Sequence, residues 1–310
     1  MVYLPYKNPM NVLQRTVIVT VIASMAANLS AATAERSREE LPKPNSIGQL
    51  HHPHDPHPAL EPGWRAYQRG DVAEALRIYQ EVAVTSPDDA GLWYDLGCLY
   101  ALNHEGVGAR RALQRALRLK PRFPEAFDAL GQLHEQAGDI MVAHALYASA
   151  DTLRSGDAKF LRHLVRTFLT LKETDAARNA LQHLLMVEPN DTEARYQLGV
   201  LELRANAPDL AAKEFRDVVE RKPDYALAWN GLALAYARIG AFGEASEAIN
   251  KAKALNPTSA ATETNLGIIA AYQQRWDEAR SAWEQALKLD PQFVPAAKNL
   301  EALPASSTTP

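Results

Sequence analysis

Four of the nine histidines fall within seven residues, His51-His52-Pro53-His54-Asp55-Pro56-His57. Neutral imidazoles are good ligands for Cu, Zn or Ni, and Asp55 could add an oxygen. His51, His52, His54 and His57 are therefore the candidate metal ligands. The interleaved prolines exclude the helical spacing that would hold the imidazoles in place beforehand. The plainer reading of the tract is a solvated linker, because a His-rich composition alone is weak evidence for metal. A second group is cationic. Lys159, Arg162 and Arg166 recur at spacings of three and four, on one face of a helix. Three cations on one face suit a carboxylate or phosphate of a partner. The competing reading is a solvated face whose charges pair with Glu125 and Asp128.

Groups for catalysis are missing from the sequence. It has no GxSxG, no HExxH, no GxxxxGK[ST] and no glycine-rich dinucleotide loop. His134, His144, His163 and His183 fall on different faces and read as packing or surface residues. The single cysteine, Cys98, has no partner for an internal disulfide or a CxxC motif. It reads as a small sheltered side chain. The expectation is a protein that is not an enzyme and has no cofactor, with Cu, Zn or Ni at the histidine tract as the one alternative.

The elements that position these groups are announced by proline. Pro87, Pro121, Pro189, Pro223, Pro257 and Pro291 stand in a 34-residue step, and the skipped position holds Ser155. A fixed period of this length marks a stacked repeat in which each unit packs mainly on its neighbours. Ala75, Ala109, Ala143, Ala177, Ala211, Ala245 and Ala279 lie twelve residues before each turn. Four residues later come Tyr79, Leu113, Tyr147, Leu181, Phe215, Ile249 and Trp283, and three beyond those a further apolar residue, from Val82 to Ala286. Spacings of four and three put all of these on one helical face, with alanine where two backbones cross closely. An earlier helix in each unit carries Leu96, Leu130, Leu164, Leu198, Leu232 and Leu266, often followed by glycine. Gly70-Asp71 and Gly138-Asp139 read as turns in which glycine ends one helix and aspartate caps the next.

The second unit carries Trp93, Leu96, Gly97, Tyr100, Ala109, Ala116 and Pro121, and with them the chain resembles the tetratricopeptide repeat (TPR) family. The resemblance covers roughly three quarters of the chain. It implies an all-α, right-handed superhelical solenoid of seven helix-turn-helix repeats over residues 56–293, with a capping helix over 294–303 and a disordered tail over 304–310. Pro62 and Gly63 predict a short first helix starting near Pro62. Repeat three closes on Arg154-Ser155-Gly156-Asp157 without proline, and repeat four has Val165 and Lys172 at glycine positions, so the middle of the array is expected to pack less regularly. The resemblance also implies that each first helix lines a concave groove. Carried over by position, Tyr94, Asp95, Glu125, Asp128, Gln132 and Glu135 would face a partner in repeats two and three. Lys159, Arg162, His163 and Arg166 would do so in repeat four, and Tyr196, Gln197, Arg204, Asn230 and Arg238 in repeats five and six. The Lys/Asn arrangement by which some chaperone-binding members hold a C-terminal carboxylate is not reproduced.

Residues 1–34 contain Lys7, Arg15 and no acid, with an apolar run from Thr16 to Leu29 and small residues at Ala32-Thr33-Ala34. That pattern predicts a secretory signal peptide cleaved after Ala34 and a periplasmic or secreted protein. The alternative is an uncleaved inner-membrane anchor with the chain facing the periplasm. Residues 35–60 read as a flexible Pro/His-rich linker. Without Lys7 and Arg15 the chain has 31 Lys+Arg against 37 Asp+Glu, a net charge of −6, which disfavours nucleic acid. Together these features predict a non-enzymatic protein–protein interaction scaffold of the bacterial envelope that binds a peptide or helix of another protein in its groove. The alternative is a periplasmic metal-binding or metal-delivery protein that uses the histidine tract.

Overall fold

The computed structural model describes Leu50 and residues 58–303. The expected signal peptide, nearly all of the linker with its histidine tract, and the tail lie outside the described residues.

Among the described residues all regular structure is helical, and the chain divides between Asn190 and Asp191 into two compact units. The division falls after repeat four, not at the skipped proline. The first unit holds α1 (Glu61–Gln68), α2 (Val72–Thr85), α3 (Ala90–Leu102), α4 (Gly106–Leu119), α5 (Pro124–Gln136), α6 (Ile140–Leu153), α7 (Ala158–Thr170) and α8 (Thr174–Val187). The second holds α9 (Thr192–Arg204), α10 (Pro208–Arg221), α11 (Ala226–Ile239), α12 (Phe242–Leu255), α13 (Ala260–Tyr272), α14 (Trp276–Leu289) and α15 (Val294–Glu301). Odd-numbered helices up to α13 open the repeats and even-numbered ones close them. Helix α1 is short and has Pro62 in its first turn, a position where the missing N–H is not needed.

The register alanines are fully buried in all seven repeats, and so are the large residues one turn later, from Tyr79 to Trp283. Their complement is the glycine of the opening helix. A Cβ on Gly63 would lie 2.8 Å from the Tyr79 ring, one on Gly131 2.6 Å from Tyr147, one on Gly199 2.9 Å from Phe215 and one on Gly267 2.4 Å from Trp283. Where the opening helix has Val165 or Ala233 at this position, the facing residue is the smaller Leu181 or Ile249. Small on one helix and large on the other keeps the pair at one spacing.

Each pair is joined by a left-handed residue. Gly70, Gly138 and Gly240 have φ of 81°, 85° and 88°, and His104, Lys172, Asn206 and Gln274 take φ of 59° to 62° at the same step of the repeat. The turn geometry is thus kept where glycine is absent, at a conformational cost to the four side-chain-bearing residues. Asp71 caps α2 through the Glu74 N–H at 3.1 Å. Asp139 does not cap α6; its carboxylate turns to His134 Nδ1 at 3.1 Å.

The opening helices start in two ways. Asp89, Asp157, Asp191 and Ser259 accept backbone N–H groups of the first turn. At the same step, Phe123, Tyr225 and Phe293 are buried instead. The closing prolines also accept hydrogen bonds. Trp93 Nε1 donates to the Pro87 carbonyl and Trp229 Nε1 to that of Pro223, each at 2.8 Å. At the skipped step, Gly156 with φ of 80° makes the turn and donates its N–H to Asp151.

Candidate partner-binding site

In the first unit the predicted groove residues of α3, α5 and α7 meet one another across the junctions between successive opening helices. Tyr94 is buried with its ring 5.2 Å from that of Phe123, the aromatic residue that starts α5. Asp95 and Gln132 are buried as well. Asp128 is wholly buried on α5 and accepts from three side chains: Gln132 Nε2 at 2.7 Å, Lys159 Nζ at 2.8 Å, and His163, whose Nδ1 lies 2.5 Å away. Burial works against the Asp128 carboxylate, but the bond to His163, its charge and that of Lys159 outweigh it and hold the carboxyl below its usual range.

The same junction carries a second polar group. Arg166 of α7 forms a two-nitrogen fork on Glu135 of α5, and Tyr147 of α6 donates to Glu135 Oε2 at 2.7 Å. The His163 ring packs, tilted, 4.7 Å from the Tyr147 ring, and His144 Nδ1 lies 2.9 Å from Thr167 Oγ1. The contact between repeats three and four thus adds charge and hydrogen bonds to an apolar cluster of Ala143, Tyr147 and Leu164, whereas Tyr94 and Phe123 make an apolar contact between repeats two and three.

The cationic face of α7 is therefore engaged inside the fold. Lys159 pairs with Asp128, Arg166 with Glu135, and Arg162 with Glu188 just beyond α8. Glu125, expected to serve these cations, takes Arg154. Lys159 and Arg162 remain about half exposed, at 48% and 45%. An ammonium has three donors, so Lys159 keeps donors beyond its bond to Asp128.

The second unit follows the same rule. Tyr196 is buried, its ring 5.2 Å from Tyr225 and 5.7 Å from Phe215. Asn230 is buried and donates to Thr262 Oγ1 at 3.0 Å, while Asn265 donates to Asn230 Oδ1 at 3.2 Å. Gln197 donates to Glu193 at 3.1 Å. Arg238 donates to the Leu203 carbonyl at 2.6 Å, and Arg204 is exposed. Six of the fifteen proposed contact residues, Tyr94, Asp95, Asp128, Gln132, Tyr196 and Asn230, thus lie in the interior, which corrects the expectation that they face a partner. Position 94 and its equivalents at 128, 196 and 230 fall where one opening helix lies against the next, so a neighbouring repeat covers them.

Cys98 is buried on α3, and burial together with the Asp95 carboxylate pushes its thiol up to about 12. No cluster of His, Cys, Asp or Glu among the described residues is arranged to hold a metal ion. No described helix is long and apolar enough to cross a membrane.

Helix pairs stacked through alanine, glycine and an aromatic at a fixed step define a helix-pair repeat protein. The tetratricopeptide repeat family matches residues 66–133, 163–226, 202–260 and 262–293, and the chain belongs to that family. Superkiller protein 3 of Schizosaccharomyces pombe is 26% identical over 68% of this chain, but the match spans 17% of its own length. Among solved structures, the C-terminal part of a TPR repeat-containing protein from Cytophaga hutchinsonii covers 78% of this chain and 99% of its own, at 16% identity and a TM-score of 0.59. YrrB, a TPR protein with an unusual peptide-binding site, covers 61% of this chain and 97% of its own, at 19% identity and a TM-score of 0.52. These likenesses support a protein–protein interaction scaffold in the general sense.

Proposed function

We propose that the chain is a non-enzymatic scaffold of the bacterial envelope that holds a peptide or helix of a partner protein against its opening helices. The observation that carries this reading is the half-exposed pair Lys159 and Arg162 on α7. Lys159 is fixed from below by the buried carboxylate of Asp128 and keeps donors for a partner carboxylate, and Arg162 beside it is paired at the surface with Glu188. Cations held in place in advance lose little freedom on binding, so they set the register of a bound segment at small entropic cost. Arg204 is an exposed cation on the opening helix α9 of the second unit. The peptide-binding site named for YrrB is in keeping with this use of the fold, and the signal-like N-terminus supports the compartment.

A photo-crosslinking amino acid at Arg162 or Arg204, in the full chain expressed in its own cell, tests the reading. Both positions should yield a crosslink to one envelope protein, while the same amino acid at Val84, exposed on α2, yields none. Equal crosslinking from Val84, or none from either opening helix, would overturn it.

A further inference from the structure

Helix α4 and the turn after it are unlike the rest of the first unit. Arg110, Arg111, Arg115, Arg118, Lys120 and Arg122 fall between Glu105 and Glu125 with no acidic residue among them. Elsewhere in this unit most cations have an acidic partner, Arg69 and Lys172 excepted among the described residues: Arg65 has Glu61, Arg77 has Glu74 and Glu81, Arg154 has Glu125, and Arg178 has Asp175. On α4 only Arg115 is paired, with Asp88 at 3.2 Å, and Lys120 lies 4.3 Å over the buried Phe123 ring. Arg110, Arg111, Arg118 and Arg122 make no ion pair or side-chain hydrogen bond with any described residue, and all four reach solvent.

Arg111, Arg115 and Arg118 share one face of α4 and repel one another, as like charges three and four apart do. The repeat itself does not require them, because the positions equivalent to Arg111 and Arg118 in repeat three are Ala145 and Thr152. The stripe from Arg111 to Arg118 is about 10 Å long, with Arg110 beside it and Arg122 beyond its end.

We infer that this face of α4 is a second docking surface, and that its occupant is a short acidic segment of another protein with carboxylates at i, i+3 or i+4, and i+7. Guanidinium groups match carboxylates two bonds at a time. The chain as a whole carries a net charge of −4. An extended polyanion would also meet its acidic surfaces, whereas a short segment senses only charges within the screening length of about 8–10 Å. This proposal concerns the closing helices and stands independently of the reading of the opening helices.

The test uses the full chain and a labelled synthetic helical peptide with glutamate at i, i+4 and i+7, followed by fluorescence anisotropy. The wild-type chain should bind the peptide, and rising salt should weaken it. The variant R110Q/R111Q/R118Q/R122Q should bind at least tenfold more weakly, while the four Arg→Lys changes, which keep the charge and lose the two-bond match, should bind between the two. A glutamine version of the peptide should not bind. Thermal melting checks folding: the Gln variant removes repulsion from α4 and should melt no lower than wild type. Equal binding by the wild-type chain and the Gln variant, or of the Gln and Glu peptides, would overturn the proposal. So would capture by phosphatidylglycerol vesicles or single-stranded DNA through these arginines without binding of the peptide.

Discussion

The Asp128 carboxylate and the Lys159 ammonium lie 2.8 Å apart and join repeat three to repeat four from inside the fold. The carboxylate is wholly buried and its carboxyl is held below its ordinary value of 3.8. Such a group adds stability that is complete above pH 3.8 and is lost as the pH falls through its lower folded value. Acid denaturation of the wild-type chain, followed by circular dichroism, should therefore steepen below that pH. Asp128→Asn should flatten this part of the profile and cost about 2–3 kcal/mol at neutral pH.

The left-handed turns give predictions of opposite sign. Lys172→Gly and Gln274→Gly remove a side chain from a φ near 60° and should each stabilise by about 1 kcal/mol in urea titrations. Gly70→Ala places a side chain at φ of 81° and should destabilise by a similar amount, about 1 kcal/mol, although nothing lies within 4 Å of the new Cβ.

Gly267 tests close approach rather than conformation. Its Cβ would meet the Trp283 indole, which is fully buried and donates to the Thr264 carbonyl at 3.0 Å. Gly267→Ala should cost about 1–3 kcal/mol by forcing that ring aside. Gly243→Ala has open space around it and should leave the melting temperature unchanged or raise it.

Tyr94 and Tyr196 separate packing from binding. Each lies against the aromatic residue that starts the next opening helix, so Tyr94→Ala and Tyr196→Ala should each lose about 3 kcal/mol of stability. A side chain used only for partner contact would leave chemical denaturation unchanged.

Cys98 should resist maleimide in the folded protein at pH 8, because it is buried and its thiol stays protonated. Labelling followed by mass spectrometry across a urea series should show modification only as the first unit opens.

The fold was legible in the sequence because its geometry is fixed by residue size. Ala109 can stay in a close crossing only as a small residue, and Trp283 needs a glycine opposite it, so both leave a mark every 34 residues. The candidate site was legible only in part. Tyr94, Asp128, Tyr196 and Asn230 recur at one step, but polar and aromatic side chains serve a junction as readily as an open face. The pairing of Arg166 with Glu135 and of Arg162 with Glu188 depends on how separate helices meet, which spacing within one helix does not reveal. The run from Arg110 to Arg122 is visible as a stretch without acids.

The junction at Asp128 bears on how such a chain can change length during evolution. Excising one whole repeat would leave the alanine and glycine steps intact, so the shortened chain would still pass every test of size. If residues 158–191 were lost, however, the positions now held by Lys159 and His163 would be taken by Glu193 and Gln197. Asp128 would then face a like charge in place of the Lys159 ammonium and would lose the imidazole of His163. Repeat order is therefore fixed by a few side chains that read the identity of the next repeat, and unequal recombination at this point would be selected against.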